Sequence, residues 1–368
     1  MTTGARRAAV WVGLAGLVIS ALFLLRFLAT TGWDPTVFLS VGEESGATRA
    51  YVEDQLGEVD LRPAQGHDGK YFFVLANDPW ILSPSENAAV FDRPLYRSQR
   101  MLYPVIAGAG GLLPPAAIVW SLLVVNVVAM GLGSWAVARI AQEMGGSPWI
   151  GLAFVLNLGF ISEMAIDGAG IVAAALAFLA LLMVMRSKVV FGYVLLALAA
   201  LTREAMLIVA AGTAFWLWRD GRRREAGLSL LFPLGSVVLW AAYLRLRLGF
   251  ETGADQVIEI GPPFLGLTRA FQNWLGDPLD LATGLAMVIL IILFGLRALR
   301  SRHLVGWANL GFVVLGVLFT ELVWSSWFDI SRALAPAVTA YVVLFLVDRQ
   351  LSRRGTVDDA AIDEPVGV

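Results

Sequence analysis

The chain has 368 residues, 58% hydrophobic and 15% charged, with no cysteine and a formal net charge of −2. Its mean hydropathy of +0.72 excludes an ordinary soluble domain. The near-neutral charge supplies no basic footprint for nucleic acid, and the lack of cysteine excludes disulfides, thiolate metal sites and cysteine nucleophiles.

The first apolar stretch, Ala8 to Thr30, follows Arg6 and Arg7 and has no small-residue cleavage site before Trp33-Asp34. It is long enough to cross a hydrocarbon core and reads as a retained signal-anchor helix. Later basic clusters fall at Arg139, Arg186 with Lys188, Arg219 to Arg224, Arg297 to Arg302, and Arg349 to Arg354. Because cytoplasmic loops collect Lys and Arg, putting every cluster inside requires an even number of crossings between neighbours. The apolar segments then run 8–29, 114–138, 148–165, 169–186, 189–202, 204–218, 227–247, 281–297, 304–321 and 333–348. The expected fold is an all-α polytopic membrane protein with about ten transmembrane helices, a single domain over 1–348 and both termini cytoplasmic. Residues 349–368, acidic from Gly355 onward, are expected to form a disordered cytoplasmic tail.

The stretch 189–218 tests this threading. As one helix it would put Arg203 and Glu204 at mid-bilayer, at ~2.5–3.5 kcal/mol each, and "RDGRRR" outside. Two short segments turning at "LTRE" avoid both costs, provided that the turn faces a wet cavity inside a bundle. In the second external segment, 249–280, Phe264, Leu267, Phe271 and Trp274 recur at helical spacing, which suits a helix in the interface plane.

The largest part outside the spans is the first external loop, 30–100. "GHDGKY" places Asp68 between small residues that leave its carboxylate accessible, and Asp78 and Asp92 have the settings of turn or cap residues. In "FDRPLYRSQRMLYP" a helix from Pro94 onward would align Arg97 and Arg100 on one face, and Tyr96 with Tyr103 on another. Arginine holds phosphate oxygens by paired hydrogen bonds, and a carboxylate can deprotonate a hydroxyl. Glu163, Asp167, Arg203, Glu204, Arg245, Arg247, Glu321, Asp329 and Arg332 fall at turns on the same expected face, where they could line one cavity. Trp324 and Trp327 have the setting of interfacial belt residues, and His303 lies in a solvated cytoplasmic loop. No phosphate-cradling loop, HExxH or external D-x-D pair occurs, so no cofactor is assigned and no pattern supports a divalent metal.

An external loop with "HDG" ahead of an aromatic, then "YR-x-QR-x-LYP" leading into the second span, resembles bacterial GT-C class membrane glycosyltransferases. "HDG" is similar to the "WDG" element of the mannosyltransferases of GPI-anchor assembly, with His67 in place of the aromatic residue. The resemblance implies a polyprenyl-phosphate sugar donor and transfer to a glycan, lipid or protein acceptor at the outer face of a bacterial plasma membrane. It also implies an acidic catalytic base in the first external loop, carried onto Asp68 with Asp34 as its rival. Arg97, Arg100 and Arg203 are then candidate donor-phosphate contacts. His67, Tyr71, Tyr96, Asp167, Glu204 and Arg332 are candidate substrate contacts. The competing classes are a transporter or flippase, which would spread polar residues through both membrane halves, and a scaffold that binds a partner through the loop.

Overall fold

The computed structural model describes residues 3–249 and 260–362. Helices dominate because an apolar solvent would leave every backbone N–H and C=O to be satisfied within its own segment. α1 (Thr3–Thr30) leads into the first loop, which is itself folded. A 3-10 turn, Pro35–Leu39, precedes β1 (Val41–Gly42), α2 (Gly46–Leu56), β2 (Leu61–Arg62) and α3 (Gly69–Asn77). The two strands pair in parallel, Val41 opposite Leu61 and Gly42 opposite Arg62. Then come α4 (Pro84–Val90), α5 (Pro94–Arg97) and α6 (Leu102–Ala107). The helix expected from Pro94 through Arg100 is therefore one turn long, and Tyr103 belongs to the next helix. Its hydroxyl donates to the Leu122 carbonyl at 3.0 Å in the core, so it shares no face with Tyr96.

The remaining elements are α7 (Pro115–Glu143), α8 (Leu152–Val155), α9 (Leu158–Met164), α10 (Gly170–Met185), α11 (Val189–Thr202), α12 (Leu207–Arg219), α13 (Arg223–Leu248), α14 (Leu265–Trp274), α15 (Pro278–Arg300), α16 (Leu304–Asn309), α17 (Gly311–Leu318), α18 (Glu321–Trp324) and α19 (Trp327–Ile362). Among the described residues, five helices are long and apolar enough to cross a membrane: Arg6–Thr30, Pro115–Glu143, Arg223–Leu248, Pro278–Arg300 and Trp327–Arg353. Gly170–Met185, Val189–Thr202 and Leu304–Leu318 are shorter apolar helices.

Segment 148–165, expected as one crossing, is broken into a 3-10 turn and two short helices. Pro148 and Gly151 are poor helix formers. Asn157 caps α9, and its amide donates to the Ala335 carbonyl at 2.8 Å and to Thr339 Oγ1 at 3.0 Å. The "LTRE" reversal is present. Tyr193, early in α11, lies 6.3 Å from Phe232, early in α13, and Arg222, just before α13, donates its backbone N–H to Leu217 near the end of α12.

Polar contacts gather the basic helix ends together. Glu143 pairs with Arg186 at 2.8 Å, Arg297 with Asp348 at 2.7 Å, and Gln350 accepts from the Ser147 backbone. The opposite ends carry the first loop, Glu163, Arg203, Glu204 and Arg332. Arg247, at the end of α13, donates to the carbonyls of Ile81 and Leu82 and so ties the loop to the bundle.

Three further expectations change. Trp324 is 1% exposed and donates to the Gly316 carbonyl, so it is a core residue and not part of an interfacial belt. In the segment 249–280, residues 250–259 lie outside the described residues. The stripe on α14 divides: Phe264 and Phe271 are exposed, while Trp274 is buried and donates to the Trp324 carbonyl. Helix α19 runs past residue 348 to Ile362, so the described part of 349–368 is helical where a disordered tail was expected; residues 363–368 lie outside the described residues.

Candidate functional site

The first loop fixes Asp68 through its backbone. An antiparallel bridge joins Val41 and Gly66, and the His67 N–H donates to the Ser40 carbonyl at 3.0 Å. A Cβ at Gly69 would lie 2.7 Å from the carbonyl oxygens of both Ile166 and Phe38, so the close approach behind Asp68 requires glycine. Asp68 then heads α3, whose residues Gly69 to Ala76 are all buried.

Both Asp68 oxygens are engaged. Arg97 Nη1 donates to Oδ1 at 2.8 Å, and Arg100 Nη1 donates to Oδ2 at 2.7 Å. Each guanidinium also serves a second carboxylate. Arg97 grips Asp92 through Nε at 2.9 Å and Nη2 at 2.8 Å, and lies 4.0 Å from the Tyr71 ring centroid. Arg100 Nη2 reaches Glu204 at 3.2 Å and the Tyr96 hydroxyl at 2.9 Å.

A second group centres on Glu163, which is 2% exposed. Its Oε1 accepts from Arg203 Nη1 at 2.8 Å and from Arg332 Nε at 3.3 Å, while Oε2 accepts from the Gly170 N–H at 3.3 Å. A Cβ at Gly168 would overlap this carboxylate, which explains the small residues of "DGAG". Arg332 pairs further with Asp329 at 3.3 Å. Consecutive residues at the "LTRE" turn join the groups: Arg203 points to Glu163, and Glu204 to Arg100.

Electrostatics follow from this wiring. Burial alone would raise the Asp68 carboxyl, but the Arg100 and Arg97 guanidiniums overcome it and hold it well below the usual carboxylate range. Asp92 is lowered against burial by its hydrogen bonds to Arg97. Burial, then Arg97, lowers the Lys70 ammonium from 10.5 to about 8, and burial raises the Tyr71 phenol to about 12. Burial and Arg332 lower His67, whose ring sits 5.1 Å from that of Phe328.

The structure thus brings together Asp68, Arg97, Arg100, Tyr71, Tyr96 and Glu204, with Arg203, Arg332 and His67 in the adjoining group. Asp167 stands apart: it is fully buried, with φ of 50°, and accepts from the Tyr103 hydroxyl at 3.5 Å. Asp34 is also apart, capping the 3-10 turn by accepting from Thr36 N at 2.9 Å and Thr36 Oγ1 at 2.8 Å. Three carboxylates given no substrate role from sequence, Asp92, Glu163 and Asp329, complete the network. The only sequence signal for Glu163 is its place in a polar turn flanked by glycines. Among the described residues, no group of three or more His, Asp or Glu could hold a metal ion.

The network leaves little free space. The space lined by Asp68, Tyr71, Phe72, Tyr96, Arg97 and Arg100 is about 10 Å³, and a second one beside Arg203 and Arg332 is the same size. Each has room for about one water, so a larger ligand would have to displace ion pairs. No protein-family model, curated protein or solved structure matches the chain.

Proposed function

We propose that the protein is an integral membrane glycosyltransferase that moves a sugar from a polyprenyl-phosphate donor to an envelope glycan, glycolipid or protein acceptor at the extracytoplasmic face. In this reading the chain crosses the bacterial plasma membrane about ten times, with both termini inside. The observation that carries the proposal is Asp68 shared between Arg97 and Arg100: a carboxylate suited to take a proton touches two groups suited to hold a phosphate.

In the transfer step the acceptor oxygen forms a bond to the anomeric carbon as the bond from that carbon to the phosphate oxygen breaks. The polyprenyl phosphate leaves with the bonding electrons, its charge spread over Arg97 and Arg100. The acceptor proton goes to Asp68. Donor phosphate and Asp68 compete for the same two guanidiniums. Binding of the donor therefore frees Asp68 from the contacts that make it a weak base in the closed state. Backside displacement inverts the anomeric configuration.

Mass spectrometry of envelope glycans and glycolipids tests the proposal, using cells with the gene, without it, and with Asp68→Asn. Loss of the same sugar in the second and third strains is expected. An envelope unchanged by deletion would reject the enzyme and favour the second reading, transport of a lipid-linked substrate. The clustering of ion pairs at one bundle end, as in a gate, is the observation that favours transport.

A further inference from the structure

A cleft of about 840 Å³ opens at the other end of the bundle, between the end of α15, the Ser301–His303 link and α19. Along α19, Asp348 in this cleft is 16 residues from Arg332, or roughly 24 Å of helix, so the two sites are separate.

The cleft has two chemistries. Its rim is basic, with Arg297, Arg300, Arg302 and His303. Arg297 is committed, pairing with Asp348 at 2.7 Å and lying 5.3 Å from the Phe345 ring centroid. Arg300 and Arg302 make no ion pair among the described residues. Its wall is apolar, with Leu293, Leu296 and Phe345 exposed and Tyr341 beside them. The link is held in place. The Arg302 carbonyl accepts from Trp216 Nε1, the Ser301 carbonyl from Trp307 Nε1, and Ser301 Oγ from the His303 N–H, each at 3.0 Å.

We infer that this cleft binds an anionic membrane phospholipid, its phosphate between Arg300 and Arg302 and an acyl chain along Leu293, Leu296 and Phe345. Two unpaired guanidiniums on a fixed link suit a phosphate. The exposed apolar side chains below them, on two helices of membrane-crossing length, suit a hydrocarbon chain and not a free polar anion.

The test is native mass spectrometry of the full chain released from nanodiscs of phosphatidylcholine with added phosphatidylglycerol. Wild-type protein is expected to retain phosphatidylglycerol in preference to phosphatidylcholine. Combined Arg300→Gln and Arg302→Gln should weaken that retention by roughly thirtyfold, from the attraction of two basic residues. Combined Arg300→Lys and Arg302→Lys should keep most of it. No preference in wild type, equal retention in the Gln variant, or complete loss in the Lys variant would overturn the proposal. Soluble glycerol phosphate should not compete. If it displaces the lipid at matched concentration, the site takes a free phosphate and the lipid assignment fails.

Discussion

Asp68 holds two guanidiniums at once, with Oδ1 2.8 Å from Arg97 Nη1 and Oδ2 2.7 Å from Arg100 Nη1. In the proposed reading the carboxylate takes the place of the donor phosphate, since both are anions that accept paired N–H bonds. Asp68 thereby keeps two arginines charged, oriented and desolvated without leaving a buried charge unpaired. The cost is that Asp68 cannot act as a base until something replaces it.

Removing either arginine should weaken the donor more than it weakens the fold. A hydrogen bond to a charged group contributes ~1.5–3 kcal/mol. Arg97→Ala and Arg100→Ala should each raise the donor concentration needed for half-maximal transfer by roughly tenfold to a hundredfold. Donor titrations in reconstituted membranes read this directly. Unchanged titrations in both variants would separate the arginines from the donor.

Glu163 should matter most for stability. It is nearly inaccessible and satisfies both Arg203 and Arg332. Breaking such a group from one side costs ~3–5 kcal/mol. Glu163→Ala should therefore lower the thermal midpoint in detergent well below that of Asp34→Ala, where loss of a cap costs ~1 kcal/mol. Equal midpoints would contradict the central position of Glu163.

Asp34 and Asp68 should separate cleanly in function. The Asp34 carboxylate is committed to Thr36. Asparagine can accept the Thr36 N–H through Oδ1 and donate from Nδ2 to the Thr36 hydroxyl oxygen, so Asp34→Asn should leave transfer unchanged. Loss of transfer with a normal thermal midpoint would return Asp34 to the reaction.

Lys70 gives a pH signature. It is 1% exposed, and its ammonium donates to the Gln65 carbonyl. Below about pH 8 the folded and unfolded chains both carry the charge, and the folded one bears the desolvation cost. From about 8 to 10.5 the folded chain releases the proton while the unfolded chain keeps it, so stability rises with pH. Tyr71 opposes this above 10, because the folded phenol keeps its proton to about 12. Lys70→Met should raise the thermal midpoint at about pH 7, and the gap from wild type should narrow by about pH 9.5. A gap that stays constant or widens would contradict the burial of a charged Lys70.

Much of this site was legible in the chain. Arg97, Arg100 and Asp68 could be grouped because all are polar groups of the one long loop between α1 and α7. The "LTRE" turn followed from the cost of placing Arg203 and Glu204 at mid-bilayer. The wiring was not legible. That Arg203 meets Glu163 while its neighbour Glu204 meets Arg100 depends on how α9, α11 and the first loop dock, and no local pattern encodes it. Asp167 and Trp324 misled for a related reason, since polarity and aromatic character at a turn do not say whether the residue faces outward. The breaks in 148–165 were signalled by Pro148, Gly151 and Asn157, but apolar content outweighed them.

The most direct test measures polyprenyl phosphate binding and sugar transfer side by side in wild-type and Asp68→Asn protein reconstituted in nanodiscs. Asparagine is nearly the same size but carries no charge, so Arg97 and Arg100 would be released to the ligand. The expected result is tighter binding of polyprenyl phosphate together with loss of transfer. Weaker or unchanged binding with transfer intact would contradict the shared use of the two arginines by Asp68 and a donor phosphate.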